Sequence, residues 1–268
     1  MAPGHRTSVG TIAVLGTAVG VTRAGFVALR RRPPGRPALW ERKNFAGRVV
    51  DLFAGPATAV GTALGVALAP GVPGRERGAA MLAVLVAGAC GTYDDLAGAG
   101  DPRRGFHAHL SALREGQVTT GAVKLFGIGG AGLAAGALLR QRPVDRLLAG
   151  VVIAGTAHLV NLVDVRPGGA AAAVLAIGAP GLLKGGSAGT FAAAPIGAAA
   201  AVAADDLGER TMIGDAGAHA LGAALGVAVV AGNGRAGLAA HALGLVAAAV
   251  YGDKVSRAVA NWGTSSPV

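Results

Sequence analysis

Nine apolar segments, separated by polar intervals, constrain the fold of this chain more than any other feature of its sequence. A helix needs roughly 20 apolar residues to cross a membrane. Only 14% of the residues are charged and the mean hydropathy is +0.54, whereas a soluble domain carries roughly 25% charged residues. We therefore predict an all-α, polytopic membrane bundle that forms a single domain over residues 1–268. The nine predicted spans are Ser8 to Leu29, Val49 to Ala69, Gly78 to Tyr93, Gly121 to Leu139, Leu147 to Val163, Gly169 to Leu183, Ala188 to Ala204, Gly217 to Ala231 and Ala236 to Tyr251.

The residue types available for packing and binding further narrow the class of membrane protein to which the chain can belong. The chain has 46 glycines and few aromatic residues, which predicts helices that pack closely through small faces. The net charge of +10 is not arranged as a basic stripe interleaved with aromatics, so we do not expect nucleic-acid binding. The single cysteine, Cys90, excludes an intrachain disulfide and is typical of a small buried side chain. A homodimer is one assembly state that we consider.

The basic residues predict the orientation of the bundle. Seven Lys and Arg follow the first span, between residues 30 and 48, and basic loops favour the cytoplasmic side. We therefore predict that the N-terminus is outside and that the protein lies in the cytoplasmic membrane as a multi-pass protein. With nine spans, six aspartates then emerge on the cytoplasmic face, which is where we expect the active site. They are Asp94, Asp95, Asp164, Asp205, Asp206 and Asp215.

Paired carboxylates open the longest polar interval after the basic loop, which runs from Gly91 to Lys124. Asp94 and Asp95 stand at the mouth of a predicted membrane helix, where charged groups are costly unless they hold a cation or are in water. An ordinary solvated helix end remains an alternative for this pair.

The carboxylates favour one kind of metal. Clustered aspartates without Cys or closely spaced His are typical of Mg²⁺, or alternatively Mn²⁺, rather than zinc. A second polar motif, from Thr211 to Gly222, places glycines around Asp215 and so permits a ligand to approach the backbone closely. A glycine-rich turn before a helix is the alternative. His219 lies four residues after Asp215 and shares its helical face if the helix has begun.

Three runs in this order resemble the polyprenyl-phosphate hexosamine-1-phosphate transferases, also called glycosyltransferase family 4. The runs are GTYDD, with a polar loop and Lys124 after it, HLVNLVD, and MIGDAGAHALG. The resemblance extends from about Trp40 to Lys254. The family includes the phospho-N-acetylmuramoyl-pentapeptide transferase of peptidoglycan synthesis, so the resemblance implies a membrane transferase of cell-wall biogenesis.

The resemblance also implies a reaction and the residues that perform it. The reaction is Mg²⁺-dependent transfer of a sugar 1-phosphate from a UDP-sugar to a polyprenyl phosphate, with release of UMP. By position, Asp94, Asp95 and Asp215 are its catalytic residues, and Asp215 with a contribution from Asp95 is its metal site. The positions that correspond to substrate contacts are Lys124, Asn161, Asp164 and Asp205, to which His219 is added by its spacing from Asp215. A helix-end lysine that reaches toward water is the alternative for Lys124.

Departures from the family pattern leave two other functions open. Val165 and Pro167 replace a glycine and an aspartate of the second motif, and Ala218 replaces a serine of the third. A catalytically silent relative that binds the lipid carrier or envelope partners is therefore an alternative. A transporter or channel is another, because small-residue helices with polar groups inside the membrane are also expected there.

Overall fold

The computed structural model describes residues 3–98, 103 and 105–262 of the chain. Over these residues the fold is all-α apart from one small antiparallel hairpin, which confirms the predicted fold class. The strands are β1 (Glu41–Lys43) and β2 (Val49–Asp51). The helices are α1 (Pro3–Arg31), α2 (Ala54–Ala67), α3 (Gly74–Ala97), α4 (Gly105–Arg114), α5 (Thr120–Leu139), α6 (Pro143–Val163), α7 (Gly169–Lys184), α8 (Gly186–Leu207), α9 (Gly214–Gly232), α10 (Arg235–Val250) and α11 (Gly252–Asn261).

The number of candidate membrane spans is lower than the nine that we predicted. Within the described residues, six helices are long and apolar enough to cross a membrane: α1 from Val9 onward, α3, α5, α6, α8 and α9. A seventh is added if α10 and α11, which are bent by 81° relative to each other, form one span. The apolar helices α2 and α7 have 14 and 16 residues, so they reach roughly 21 to 24 Å, less than the roughly 30 Å of a hydrocarbon core. The chain therefore has the helices of a multi-pass membrane protein.

Several helices are longer than predicted, and in α3 and α8 this changes where the acidic residues lie. Asp94 and Asp95 belong to the end of α3 rather than to the polar interval after it. Asp205 and Asp206 likewise belong to the end of α8. These carboxylates are therefore carried on regular helical backbone, which fixes their directions.

Ends of helices that are far apart in the chain meet at both ends of the bundle. At one end, Asp94 of α3 and Asp215 of α9 meet at a side chain of α5. At the other, the Arg140 guanidinium, just after α5, donates to the carbonyls of Val230 and Asn233 at the end of α9. We call the first the acidic end, because all six aspartates named above lie there, at the ends of α3, α6 and α8 and the start of α9.

Helix α9 forms the centre of the bundle. Every residue from Ala216 to Ala228 is buried, and the helix packs against α3 on one side and α6 on the other. A Cβ atom at Gly222 would lie 2.6 Å from the Cα atom of Ala157 in α6, so this contact requires glycine. The predicted packing through small faces is thus present at the core.

The hairpin lies in the basic loop after α1 and contacts the segment that leads into α9. The Met212 amide donates to the Asp51 carbonyl at 2.8 Å, and the Thr211 hydroxyl donates to the Asp51 carboxylate at 2.6 Å. Trp40 packs against Phe53 with ring centroids 5.4 Å apart. The first loop is therefore an ordered part of the acidic end.

Candidate functional site

Lys124 lies between two carboxylates at the acidic end. Its ammonium donates to Asp94 Oδ2 at 2.7 Å and also to Asp215 Oδ2. These three side chains are 18%, 21% and 24% exposed. Two carboxylates from α3 and α9 thus face one cation in a small, mostly buried site.

Close approach of α3 and α9 makes this arrangement possible. Gly91 lies one turn before Asp95, and a Cβ atom at Gly91 would be 2.5 Å from the Asp215 carbonyl carbon and 2.7 Å from the Ala216 Cα atom. Real side chains do not tolerate such distances, so only glycine permits the contact. The glycine that begins GTYDD therefore determines how closely the carboxylates of the two helices meet.

Asp95 binds backbone rather than Lys124. Its Oδ1 accepts from the Asp215 amide at 3.1 Å and its Oδ2 from the Ala216 amide at 2.9 Å. These amides belong to the first turn of α9, where backbone N–H groups have no hydrogen-bond partners within the helix. The helix dipole also favours a carboxylate at this position. Asp95 thus joins the start of α9 to the end of α3 and positions the Asp215 side chain.

Asp164 and Asp206 hold the turn between α6 and α7. The Ala170 amide donates to Asp164 at 2.9 Å, and the Gly168 amide, at a φ of +81°, donates to Asp206 at 2.7 Å. Burial, and then the negative charge of Asp206, raises the pKa of Asp164 to about 8; Asp215 and Asp95 add smaller effects of the same sign. The turn at Asp164 therefore lies within electrostatic reach of Asp215 and Asp95.

The raised pKa of Asp164 predicts a pH dependence of stability. Because the folded state keeps this proton up to a pH of about 8 and the unfolded state loses it near 3.9, stability falls as pH rises through that interval. Between pH 6 and pH 9 the wild type should lose roughly 2 kcal/mol relative to Asp164→Asn. Thermal unfolding in detergent at several pH values measures this, and parallel curves for the two proteins would contradict it.

Asp205 is engaged on another side of the bundle. Its carboxylate pairs with Arg23 of α1 at 2.6 Å and with Arg210 at 3.0 Å, and it is buried. The Arg23 guanidinium also lies over the Phe26 ring, 5.6 Å from its centroid. This pairing explains how an arginine is accommodated inside an apolar helix, and it separates Asp205 from the Lys124 site.

The two remaining predicted residues have local contacts. His219 is buried, and its Nδ1 lies 2.8 Å from the Asp215 carbonyl; because a carbonyl only accepts, Nδ1 carries the proton. Asn161 is half-buried in the last turn of α6, where its backbone carbonyl accepts a hydrogen bond from the Asp164 amide at 3.2 Å. His219 therefore supports the turn that carries Asp215, and Asn161 supports the turn at Asp164.

Sequence reasoning missed Arg42, which lies in β1. Its guanidinium donates to the carbonyl of Asp95 and, at 2.6 Å, to the carbonyl of Glu41. A positive group near the end of α3 is favoured by the helix dipole. Short strands within a charged loop give no periodic pattern, so the sequence contained no signal for this contact.

An open pocket lies beside the Asp164 turn at the acidic end. Its volume is about 520 Å³, within the usual range of roughly 300 to 1,000 Å³ for small-molecule sites. Phe45 from the hairpin loop, Arg166, Glu209 and Trp262 contribute side chains to its lining. Arg166 lies over the Phe45 ring at 5.9 Å from its centroid. The pocket thus offers aromatic surfaces and both signs of charge.

Two of the carboxylates around Lys124 could contribute ligands to a divalent cation. Among the described residues, no group of three or more His, Cys, Asp or Glu is arranged to hold a metal ion. Mg²⁺ usually needs only one or two carboxylates, because waters and substrate phosphates complete its shell. Asp94 and Asp215 supply two carboxylates that already face a cation at one point, whereas Asp95 directs both oxygens at backbone amides.

The searched protein-family models and curated proteins contain no match to the chain.

Proposed function

We propose that this protein is a Mg²⁺-dependent transferase that moves a sugar 1-phosphate from a UDP-sugar to a polyprenyl phosphate and releases UMP. The observation that carries the proposal is the convergence of Asp94 and Asp215 on the Lys124 ammonium, at one end of a bundle of apolar helices. A phosphate-transfer site at the membrane surface needs oxygen ligands for a metal and a cation for the phosphates. This cluster has both.

The proposed roles follow from these contacts. Asp94 and Asp215 hold the metal ion, which when bound would draw charge from the donor pyrophosphate and favour departure of UMP. Lys124 binds a phosphate oxygen, as a flexible point charge is suited to do. Asp95 holds Asp215 in place through the α9 amides. Its role is therefore in positioning, in addition to the catalytic role that the resemblance implies.

The donor nucleotide is proposed to occupy the pocket between the hairpin loop and the Asp164 turn. The Phe45 and Trp262 rings provide apolar surface for a base, and Arg166 provides positive charge for a phosphate. Val165 and Pro167, which depart from the family motif, belong to the same turn. We therefore expect the sugar specificity of this protein to differ from that of family members that keep the motif residues. Asp164 contributes through its position in that turn.

The orientation and the carrier lipid complete the proposal. We place the acidic end in the cytoplasm and the N-terminus outside, with the short helices α2 and α7 and the bent α10–α11 pair as further segments within the membrane. Fourteen Lys and Arg belong to the loops and tail on the proposed cytoplasmic side and eight to those on the other, with Arg23 and Lys124 inside spans; this asymmetry supports the orientation. The polyprenyl phosphate would reach Lys124 from the bilayer. The reaction would serve cell-envelope glycan synthesis.

UMP release tests this function directly. Purified protein in detergent is given polyprenyl phosphate and a panel of UDP-sugars, with and without Mg²⁺. We expect UMP only when lipid, Mg²⁺ and one matching donor are all present. Omission of the lipid and chelation of the metal are the matched controls.

The same assay distinguishes the proposed transferase from the alternative, a catalytically silent relative. The substituted motif positions Val165, Pro167 and Ala218 are the observations that favour it. Lipid binding without UMP release from any donor would overturn the proposed reaction and leave the silent relative as the function.

A further inference from the structure

The ammonium of Lys124 occupies the point toward which both proposed metal ligands are directed. It contacts the Oδ2 atom of Asp94, at 2.7 Å, and the Oδ2 atom of Asp215. The other four aspartates of this end have other partners: Asp95 binds amides of α9, Asp164 and Asp206 bind amides of the α7 turn, and Asp205 pairs with Arg23 and Arg210. Lys124 therefore fills the position between the Asp94 and Asp215 carboxylates.

We propose that Lys124 is an internal counter-ion that competes with the divalent metal for Asp94 and Asp215, so that metal binding requires its ammonium to move. This inference rests on the proposed function for the identity of the metal. Without metal, the Lys124 ammonium occupies the position between the two carboxylates. The carboxylates become available to the metal when Lys124 turns to a substrate phosphate.

Charge and geometry support the exchange. Two carboxylates and one ammonium leave the cluster with one negative charge, which keeps a mostly buried site tolerable without metal. A metal bound to the same two Oδ2 atoms would lie within a few ångströms of an unmoved ammonium, and like charges at such distances repel strongly. The lysine side chain is long and flexible, and it is 18% exposed, so its ammonium has room to move from the two carboxylates to a substrate phosphate.

The competition predicts that removal of the ammonium strengthens metal binding. We expect Lys124→Met to bind Mn²⁺ about tenfold more tightly than the wild type, measured by the electron paramagnetic resonance signal of free Mn²⁺ over full-length protein in detergent. Lys184→Met is the matched control, because Lys184 contacts the Gly232 carbonyl at the opposite end, and its Mn²⁺ affinity should not change. Lys124→Arg, which keeps a cation, should bind Mn²⁺ no more tightly than the wild type.

A second readout guards against a variant that simply misfolds. Without metal, Lys124→Met leaves two carboxylates facing each other, so its thermal midpoint should fall below that of the wild type, and saturating Mn²⁺ should raise it by more than in the wild type. Unchanged or weaker Mn²⁺ binding by folded Lys124→Met would overturn the competition. If the wild type still released UMP in that case, the transferase proposal would stand without it. Tighter binding by Lys124→Met without UMP release from any protein would support the competition and overturn the transferase.

Discussion

Asp215→Asn should lower UMP release by about a thousandfold, because a neutral amide cannot replace the carboxylate that we assign to the metal. Within the part of the chain that the structure describes, Asp215 is one of two carboxylates that contact Lys124, so its loss removes half of the proposed protein ligands. Electrostatic stabilisation by a bound metal amounts to several kcal/mol, and each 1.36 kcal/mol is a factor of ten in rate. Initial rates with the matching UDP-sugar, at saturating lipid, measure the loss.

The control for this substitution is Asp145→Asn. Asp145 pairs with Arg235 at the opposite end, at 2.6 Å, so the variant makes the same chemical change far from the site and should keep wild-type rates. If Asp215→Asn retained more than a tenth of the wild-type rate while remaining folded, Asp215 would not be a metal ligand for the reaction.

Gly91→Ala should both destabilise the protein and inactivate it. The added methyl would lie 2.5 Å from the Asp215 carbonyl carbon and 2.7 Å from the Ala216 Cα atom, and backbone atoms of a buried helix cannot yield locally. Overpacking of this kind costs about 1 to 3 kcal/mol. Because α9 must move away from α3, the Asp94 and Asp215 carboxylates also move apart, and a misplacement near 1 Å can cost about a hundredfold in rate.

The comparison with Gly130→Ala isolates the steric cause. Gly130 is exposed on α5 and an added Cβ would meet nothing within 4 Å, so this variant should be at least as stable as the wild type and equally active. Thermal midpoints and UMP release rates are measured for both. Equal stability of the two variants would show that α3 and α9 do not approach as closely as described.

The sequence predicted which aspartates lie at one end but not what each contacts. Asp94, Asp215 and Lys124 were correctly expected to belong to one region, because alternation of spans puts them on the same side. Asp95 was expected beside Asp215 as a metal ligand, whereas its carboxylate binds amides of α9. Hydropathy describes each segment separately, and no local pattern reports which side chains of α3 face α9.

Span boundaries were predicted less well, for a similar reason. The sequence placed one span from Val49 to Ala69, although β2 and α2 divide this stretch. Three-residue strands lack enough residues to show alternation, and the pairing of Asp51 with Thr211 joins positions far apart in the chain. The sequence also does not show how Arg23 is accommodated in the first span, because its partner Asp205 is 182 residues away.

The sequence by itself determined that the chain is helical, apolar, closely packed and acidic at one end, since these properties depend on composition and on local order along each segment. Only the tertiary structure decided which carboxylates share a cation and which bind backbone amides. Lys124 meets Asp94 and Asp215 across separations of 30 and 91 residues. Contacts at those separations depend on how closely whole helices pack, and here that distance is set by glycines such as Gly91, whose importance shows only once its neighbour is known.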